Sequence, residues 1–243
     1  MVSIIIPIYN EEKNIRKLQD NLSKLKGNFE VIFCDGGSSD NTVNLIEDCY
    51  IVLNSPKGRA NQMNYGSKFA KGDILFFLHC DSIIEEDVII KIQEEVNRGC
   101  KVGCLKLKFD NEIIWMQICA FMSNLRVKLR KIAFGDQGIF MKKELFEEIG
   151  GMPNLPIMED LELSLRLKKQ KYYFNQIDSE IVTSARRFLD KGIFKTMVKM
   201  QKLQLQYLCG RDINKINKEY RDIRWQYERG NNYFYKSSYT RKN

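Results

Sequence analysis

The chain has 243 residues, 44% hydrophobic and 29% charged, a balance that belongs to globular proteins and excludes a disordered chain. Four prolines and 15 glycines leave no linker or low-complexity tract, and no internal repeat is visible. The net charge of +8 is uneven: residues 185–243 hold 15 Lys/Arg against 5 Asp/Glu, and residues 1–184 hold 24 against 26.

A tail this basic favours anionic partners such as a lipid surface or a phosphorylated acceptor, and it serves equally as a solvated face. Nucleic acid is not the expected partner. Seven cysteines, mostly among apolar residues, read as reduced and buried thiols of a cytoplasmic protein. Met1–Pro7 has no charged leader, and the longest apolar stretch, Ile113–Met122, is far short of a bilayer span. The expectation is a cytoplasmic protein without a membrane span, at most peripheral on the inner face of the membrane.

In chain order, Val2–Ile6 reads as a strand broken by Pro7, and Glu11–Lys26 as a helix on the spacing of Ile15, Leu18, Leu22 and Leu25. Phe29–Cys34 is a second strand, Asp40–Asp48 a helix capped by Ser39 or Asp40, and Ile51–Leu53 a third strand. Ala60–Ala70 predicts a helix and Ile74–Leu78 a fourth, wholly apolar strand. Apolar strands alternating with helices imply a parallel sheet covered on both faces. Further on, Cys100–Phe109 and Gly138–Met141 read as strands, and Glu112–Ile132, Lys143–Ile149 and Leu161–Lys169 as helices. From Lys191 the pattern is helical almost to the end. The expected organisation is an α/β domain over residues 1–190 and a basic helical extension over 191–243.

Ligands of open α/β sheets sit beyond the carboxyl ends of the strands. There this sequence places Tyr9-Asn10-Glu11, Asp35-Gly36-Gly37-Ser38 and His79-Cys80-Asp81, three polar clusters that should line one crevice. Asp35 can accept hydrogen bonds from a base or ribose, or simply shape its own loop. His79 and Asp81, two apart on an extended segment, point the same way and suit a divalent cation or its waters. Adjacent carboxylates Glu159 and Asp160 open a helix, where the dipole alone would favour them; the chemical reading is a general base. Arg186 and Arg187 suit a diphosphate, as does Arg59 at a helix N-terminus beside Asn61, Gln62 and Asn64. No Walker motif or Gly-x-Gly-x-x-Gly is present.

The order of these motifs carries a resemblance. Ser3–Glu12, Asp35–Thr42, His79-Cys80-Asp81 and Glu159-Asp160 resemble, over roughly residues 1–190, the inverting glycosyltransferases of family 2, which implies the GT-A (nucleotide-diphosphosugar transferase) fold, a mostly parallel central sheet flanked by helices. More narrowly, Gly58–Asn64, Gly135–Phe140, Met158–Asp160 and Thr183–Phe188 are similar to a small bacterial subfamily often called radical-SAM/selenodomain-associated transferases. The resemblance implies a nucleoside-diphosphate sugar donor, with UDP the expected nucleotide, and Mg²⁺ or Mn²⁺ as cofactor. Pro7, Tyr9, Glu11, Asp35, Arg59, Arg186 and Arg187 would then serve the donor. Asp81 would ligate the metal, with His79 in place of the family's first Asp. Asp160 would be the base, with Glu159 beside it. Asp136, Gln137 and Trp115 are the acceptor-side candidates, and the acceptor is an unknown hydroxyl. Phe188 stands where larger relatives have Trp. Two rivals are a sugar-nucleotide pyrophosphorylase, whose Gly-rich opening loop is missing here, and a non-enzymatic binder of anionic surfaces.

The helix expected over 191–209 has Ile193, Phe194, Met197, Val198, Met200, Leu203, Leu205 and Leu208 on one broad face and Lys191, Lys195, Lys199 and Lys202 on the other. Packing on the domain is the favoured use of that face. Peripheral contact with a membrane is the other.

Overall fold

A computed structural model describes residues 1–220, apart from the side chains of Arg187, Asp190 and Lys191. The eight strands are β1 Val2–Ile8, β2 Phe29–Asp35, β3 Ile51–Asn54, β4 Ile74–Phe77, β5 Ser82–Ile84, β6 Val102–Phe109, β7 Ile139–Lys142 and β8 Asn175–Thr183. The helices are α1 Ile15–Leu22, α2 Arg59–Phe69, α3 Val88–Asn97, α4 Ile114–Arg130, α5 Lys143–Glu148, α6 Glu159–Lys169, α7 Arg186–Lys191 and α8 Ile193–Leu208. Residues 213–220 are also helical, and the helix expected beyond 220 lies outside the described residues.

The strands form one sheet in the order β3-β2-β1-β4-β7-β6-β8-β5. The sheet is mixed and mostly parallel with flanking helices, as the resemblance implies; β7 runs antiparallel to both β4 and β6, and β5 antiparallel to β8. An apolar run reports burial on both faces but not strand direction, so periodicity was blind to this. The reversal matters for function. It brings the start of β7, with the turn Gly135–Gln137 before it, to the edge where β1, β2, β4, β6 and β8 end.

Alternation along β1 sends Ile5 to one face, where it packs with Ala60 and Met63 of α2, Phe146 of α5 and Leu163 of α6. Helices α1 and α3 bury Ile15, Leu18, Leu22, Val88, Ile89 and Ile92 at helical spacing. Gly66 lets α2 lie close on the sheet, because a Cβ there would come 2.5 Å from Cys34 Sγ and 2.8 Å from Ile5 Cγ2.

Three expectations need correction. Strand β1 continues through Pro7 to Ile8, since pairing with β4 has stopped at Ile5 and the missing donor is not needed on that side. The helix expected over Asp40–Asp48 is reduced to one 3₁₀ turn, Val43–Leu45. The Asp40 carboxylate instead accepts from the Thr42 N–H (3.0 Å), the Thr42 hydroxyl (2.5 Å) and the Glu12 N–H (3.3 Å), tying this loop to the one after β1. Among the cysteines, Cys49 and Cys209 are exposed and Cys100 is half-buried; the other four are buried.

The chain divides into two compact units. The first comprises Met1–Asn154 and Glu159–Ala185 and holds the whole sheet; the second comprises Leu155–Met158 and, among the described residues, those from Arg186 on. Within the second unit, α8 buries Thr196 and Leu203, while Phe194, Val198, Leu205 and Leu208 are exposed. Only part of the expected apolar face is therefore covered.

Candidate active site

Strands β1 and β2 end side by side, with Ile8 in register with Asp35. The loops that follow are stitched together: the Asn10 N–H donates to Ser38 Oγ (2.9 Å), Ser39 N–H to Asn10 Oδ1 (2.8 Å), and Glu11 N–H to Thr42 Oγ1 (2.7 Å). Asp35 is buried, and its carboxylate accepts from the N–H groups of Gly37 and Ser38 and from the Ser38 hydroxyl at 2.6 Å. It therefore shapes its loop, and the remaining lone pairs are what it can offer a ligand. Beneath both strand ends lies Gln62, whose buried amide donates to the carbonyls of Ile8 and Cys34, each at 2.7 Å. The sequence presented Gln62 as one of three amides near an anion site. The structure spends it, and Asn64, which exchanges two hydrogen bonds with the Met152 backbone, on holding the fold.

Tyr9 is half-buried and carries the Lys57 ammonium 3.6 Å from its ring centroid, a cation–π contact that sequence reasoning missed. The metal motif follows β4. Asp81 is exposed, Cys80 is buried, and the His79 carbonyl accepts from the Ser82 N–H at 3.2 Å. Burial pushes the Cys80 thiol well up, and the Glu11 and Asp81 carboxylates push it further. Glu11 of the first loop and Asp81 of the metal motif therefore both lie near this thiol.

The first two residues of α6 reach the same edge. Asp160 accepts from the Gly135 N–H at 3.0 Å and from the Leu161 N–H at 2.8 Å. A Cβ on Gly135 would come 2.9 Å from His79 Nε2 and 3.7 Å from Asp160 Oδ2, so the metal motif and the expected base meet over this glycine. Glu159 points the other way and is buried. Its Oε1 pairs with Arg59 Nε at 2.8 Å, while Oε2 meets no hydrogen-bond partner among the described residues. Burial pushes the Glu159 carboxyl up, the Arg59 guanidinium pulls it back, and the Asp160 charge adds to the rise. Met158, just before the pair, has a left-handed backbone (φ 66°), a conformation that costs a non-glycine residue free energy and sets how α6 starts.

Arg126 of α4 is a further cation at this edge, one that the sequence motifs do not bring to the site. Its guanidinium stacks 3.7 Å from the Phe134 ring centroid and donates to Gln137 Oε1 at 2.8 Å. Burial lowers its pKa, and the nearby Asp136 and Asp160 carboxylates raise it again. Gln137 is fully buried between Arg126 and the Phe134 N–H, so it braces the site and is not exposed to an acceptor. Trp115 lies in the first turn of α4 and is 45% exposed. Arg186 is exposed at the start of α7 in the second unit, and the Arg187 side chain lies outside the description.

No cluster of three His, Cys, Asp or Glu side chains that could hold a metal unaided occurs among the described residues. Asp81 and His79 nevertheless fit a hard cation of the kind that takes one or two protein ligands and completes its shell with phosphate oxygens and water.

An open α/β sheet with carboxylates, an imidazole and cations gathered at its carboxyl edge is the build of a nucleotide-sugar transferase. Residues 3–150 match the model of glycosyl transferase family 2, and the chain belongs to that family. It is 28% identical over 186 residues to an uncharacterized glycosyltransferase of Haemophilus influenzae (70% of this chain, 63% of that one). It is 24% identical over 214 residues to a beta-monoglucosyldiacylglycerol synthase of Trichormus variabilis (76% and 46%). The chain thus spans roughly half to under two thirds of these relatives. Among solved structures, S. aureus TarS 1-349 in complex with UDP superposes with a TM-score of 0.59 at 18% identity, over 76% of this chain and 60% of that one. The mannosyltransferase PcManGT of Pyrobaculum calidifontis, in complex with GDP-Man and Mn²⁺, gives 0.57 at 20% identity, over 74% and 56%. The fold is therefore GT-A-like.

Proposed function

We propose that this chain transfers a sugar from a nucleoside-diphosphate donor, with UDP the favoured nucleotide, to an acceptor hydroxyl with inversion at the anomeric carbon. The observation that carries the reading is the meeting of His79 and Asp160 over Gly135, which joins the donor-side and acceptor-side motifs at one point. Family membership and the TarS and PcManGT complexes, with UDP and with GDP-Man and Mn²⁺ respectively, support it. The narrower likeness to the selenodomain-associated subfamily rests on the sequence motifs alone.

In this reading Tyr9, Lys57 and Asp35 receive the nucleoside, and Asp81 with His79 holds Mg²⁺ or Mn²⁺. The cation, when bound, neutralises charge on the diphosphate. Arg186 and Arg187 are carried as donor residues by the sequence resemblance alone. The Asp160 carboxylate takes the proton of the acceptor O–H, and the freed oxygen attacks the anomeric carbon. The bond from that carbon to the diphosphate oxygen breaks opposite, its electron pair leaving with the nucleoside diphosphate. Both Asp160 oxygens accept backbone N–H bonds, which aim the carboxylate and leave lone pairs for that proton. Glu159 does not face the acceptor in this scheme; through Arg59 it anchors the start of α6 to the start of α2. Asp136 and Trp115 are retained on the acceptor side. A nucleoside-diphosphate release assay over a panel of donors tests the proposal. Release that needs both Mn²⁺ and Asp160 supports it, and release unchanged in Asp160→Asn overturns the assignment of the base.

A further inference from the structure

Helix α4 is apolar on two opposite sides, and only one of them is covered. Met116, Cys119, Ala120 and Val127 are buried toward β6 and β8. On the other side Ile114, Ile118, Phe121, Met122 and Leu129 are exposed by 60%, 39%, 64%, 53% and 73%. Their spacing of 4, 7, 8 and 15 residues from Ile114 makes a continuous stripe on one helix face. A single exposed leucine needs no explanation, but a stripe this long marks an interaction site. Its charge surroundings indicate which kind. The exposed Glu112 precedes the helix, residues 113–131 contain no Asp or Glu, and Lys128, Arg130 and Lys131 surround Leu129 at the C-terminal end of the stripe. Lys128 and Arg130 are exposed. An apolar stripe whose C-terminal end carries a cluster of cations is complementary to an anionic lipid surface, where the side chains enter the acyl boundary and the cations meet headgroup phosphates.

We infer that the exposed face of α4 docks this protein on an anionic membrane surface. No helix among the described residues is long and apolar enough to cross a membrane, so the contact is peripheral and reversible. The inference stands apart from the transfer chemistry, and its failure would leave the proposed function intact. It also differs from the expectation for the tail helix, because α4 belongs to the sheet-bearing unit.

The test is co-sedimentation of the full chain with vesicles of phosphatidylcholine alone or with about one third phosphatidylglycerol, at low and high salt. Pelleting should require the anionic lipid and should weaken as salt rises. The double substitution Phe121→Ser with Leu129→Ser should lower binding about tenfold or more, because two large apolar side chains lose their burial. Both sites are exposed, so the melting temperature should not move. If that variant misfolds, Lys128→Gln with Arg130→Gln provides the second reading, a selective loss on the anionic vesicles. Val198→Ser with Leu205→Ser on α8 is the control, and loss of binding in it alone would overturn the assignment to α4. No pelleting of wild type at low salt would overturn it too, as would a dimer in solution that the α4 variant dissociates.

Discussion

Two neighbouring carboxylates stand in different surroundings, and their proposed roles rest on that difference. Asp160 is turned to the site edge by two backbone donors, while Glu159 is buried against Arg59. Asp160→Asn should lower turnover by about 10²–10⁴-fold, the usual worth of a general base, with donor affinity retained. Steady-state kinetics beside nucleotide titration would separate the two effects. For Glu159 the folded pKa lies above the ordinary 4.5, mainly because burial penalises the charge. A group shifted this way contributes stability below about pH 4.5 and loses it as pH rises through the folded pKa. Glu159→Gln removes that titration, so its melting temperature should gain on wild type as pH rises above about 4.5. A gap that narrows with rising pH would show that the Arg59 pairing outweighs burial. At Gly135 any side chain intrudes on His79, and Gly135→Ala should depress turnover with little change in melting temperature. Motif order in the sequence singles out Asp160, Asp81 and His79 as candidates, but not Gly135, whose place beside His79 and Asp160 is visible only in three dimensions. Lys57 and Arg126 escaped notice for a related reason: a ring contact and a buried guanidinium leave no spacing signature.

Among the elements, those with a strong apolar period were legible and those shaped by side-chain bonds were not. Helix α2 and strands β1, β2 and β4 fall within a residue or two of their expected bounds, since burial of one face decides them. The loop after β2 failed because Asp40 accepts bonds from Thr42 and Glu12, which compete with helix formation. Strand β8 went unread as a whole although Ile177, Ser179, Ile181 and Thr183 alternate inward, because two of those four are polar and blur the pattern. The close approach of α2 to the sheet is open to a direct check. Gly66→Ala would press a methyl group on Cys34 and Ile5, an overpacking cost of about 1–3 kcal/mol. The helix preference for alanine returns about 1 kcal/mol of this. The melting temperature should therefore fall by a few degrees, and a rise would mean that α2 can shift outward freely.

For the whole molecule, the mixed sheet gathers the parts, and the reversal of β7 brings Gly135–Gln137 beside the ends of the parallel strands. The thiols report on this packing from a distance. Cys49 and Cys209 are exposed, whereas burial pushes the Cys34 thiol up to about 12, so a thiol reagent at pH 8 should label the first two well ahead of Cys34. Early labelling of Cys34 would mean that the α2–sheet contact opens readily. The central claim is that this edge binds a nucleoside diphosphate together with a divalent cation. Thermal unfolding of wild type and Asp81→Asn with UDP or GDP, each with and without Mn²⁺, measures it most directly. Ligand at 100 times its dissociation constant adds about 2.7 kcal/mol, several degrees for a chain of this size. The predicted result is a rise with nucleotide and Mn²⁺ together that is smaller with either alone and lost in Asp81→Asn; no response of the wild-type protein to any nucleotide with Mn²⁺ would contradict the account.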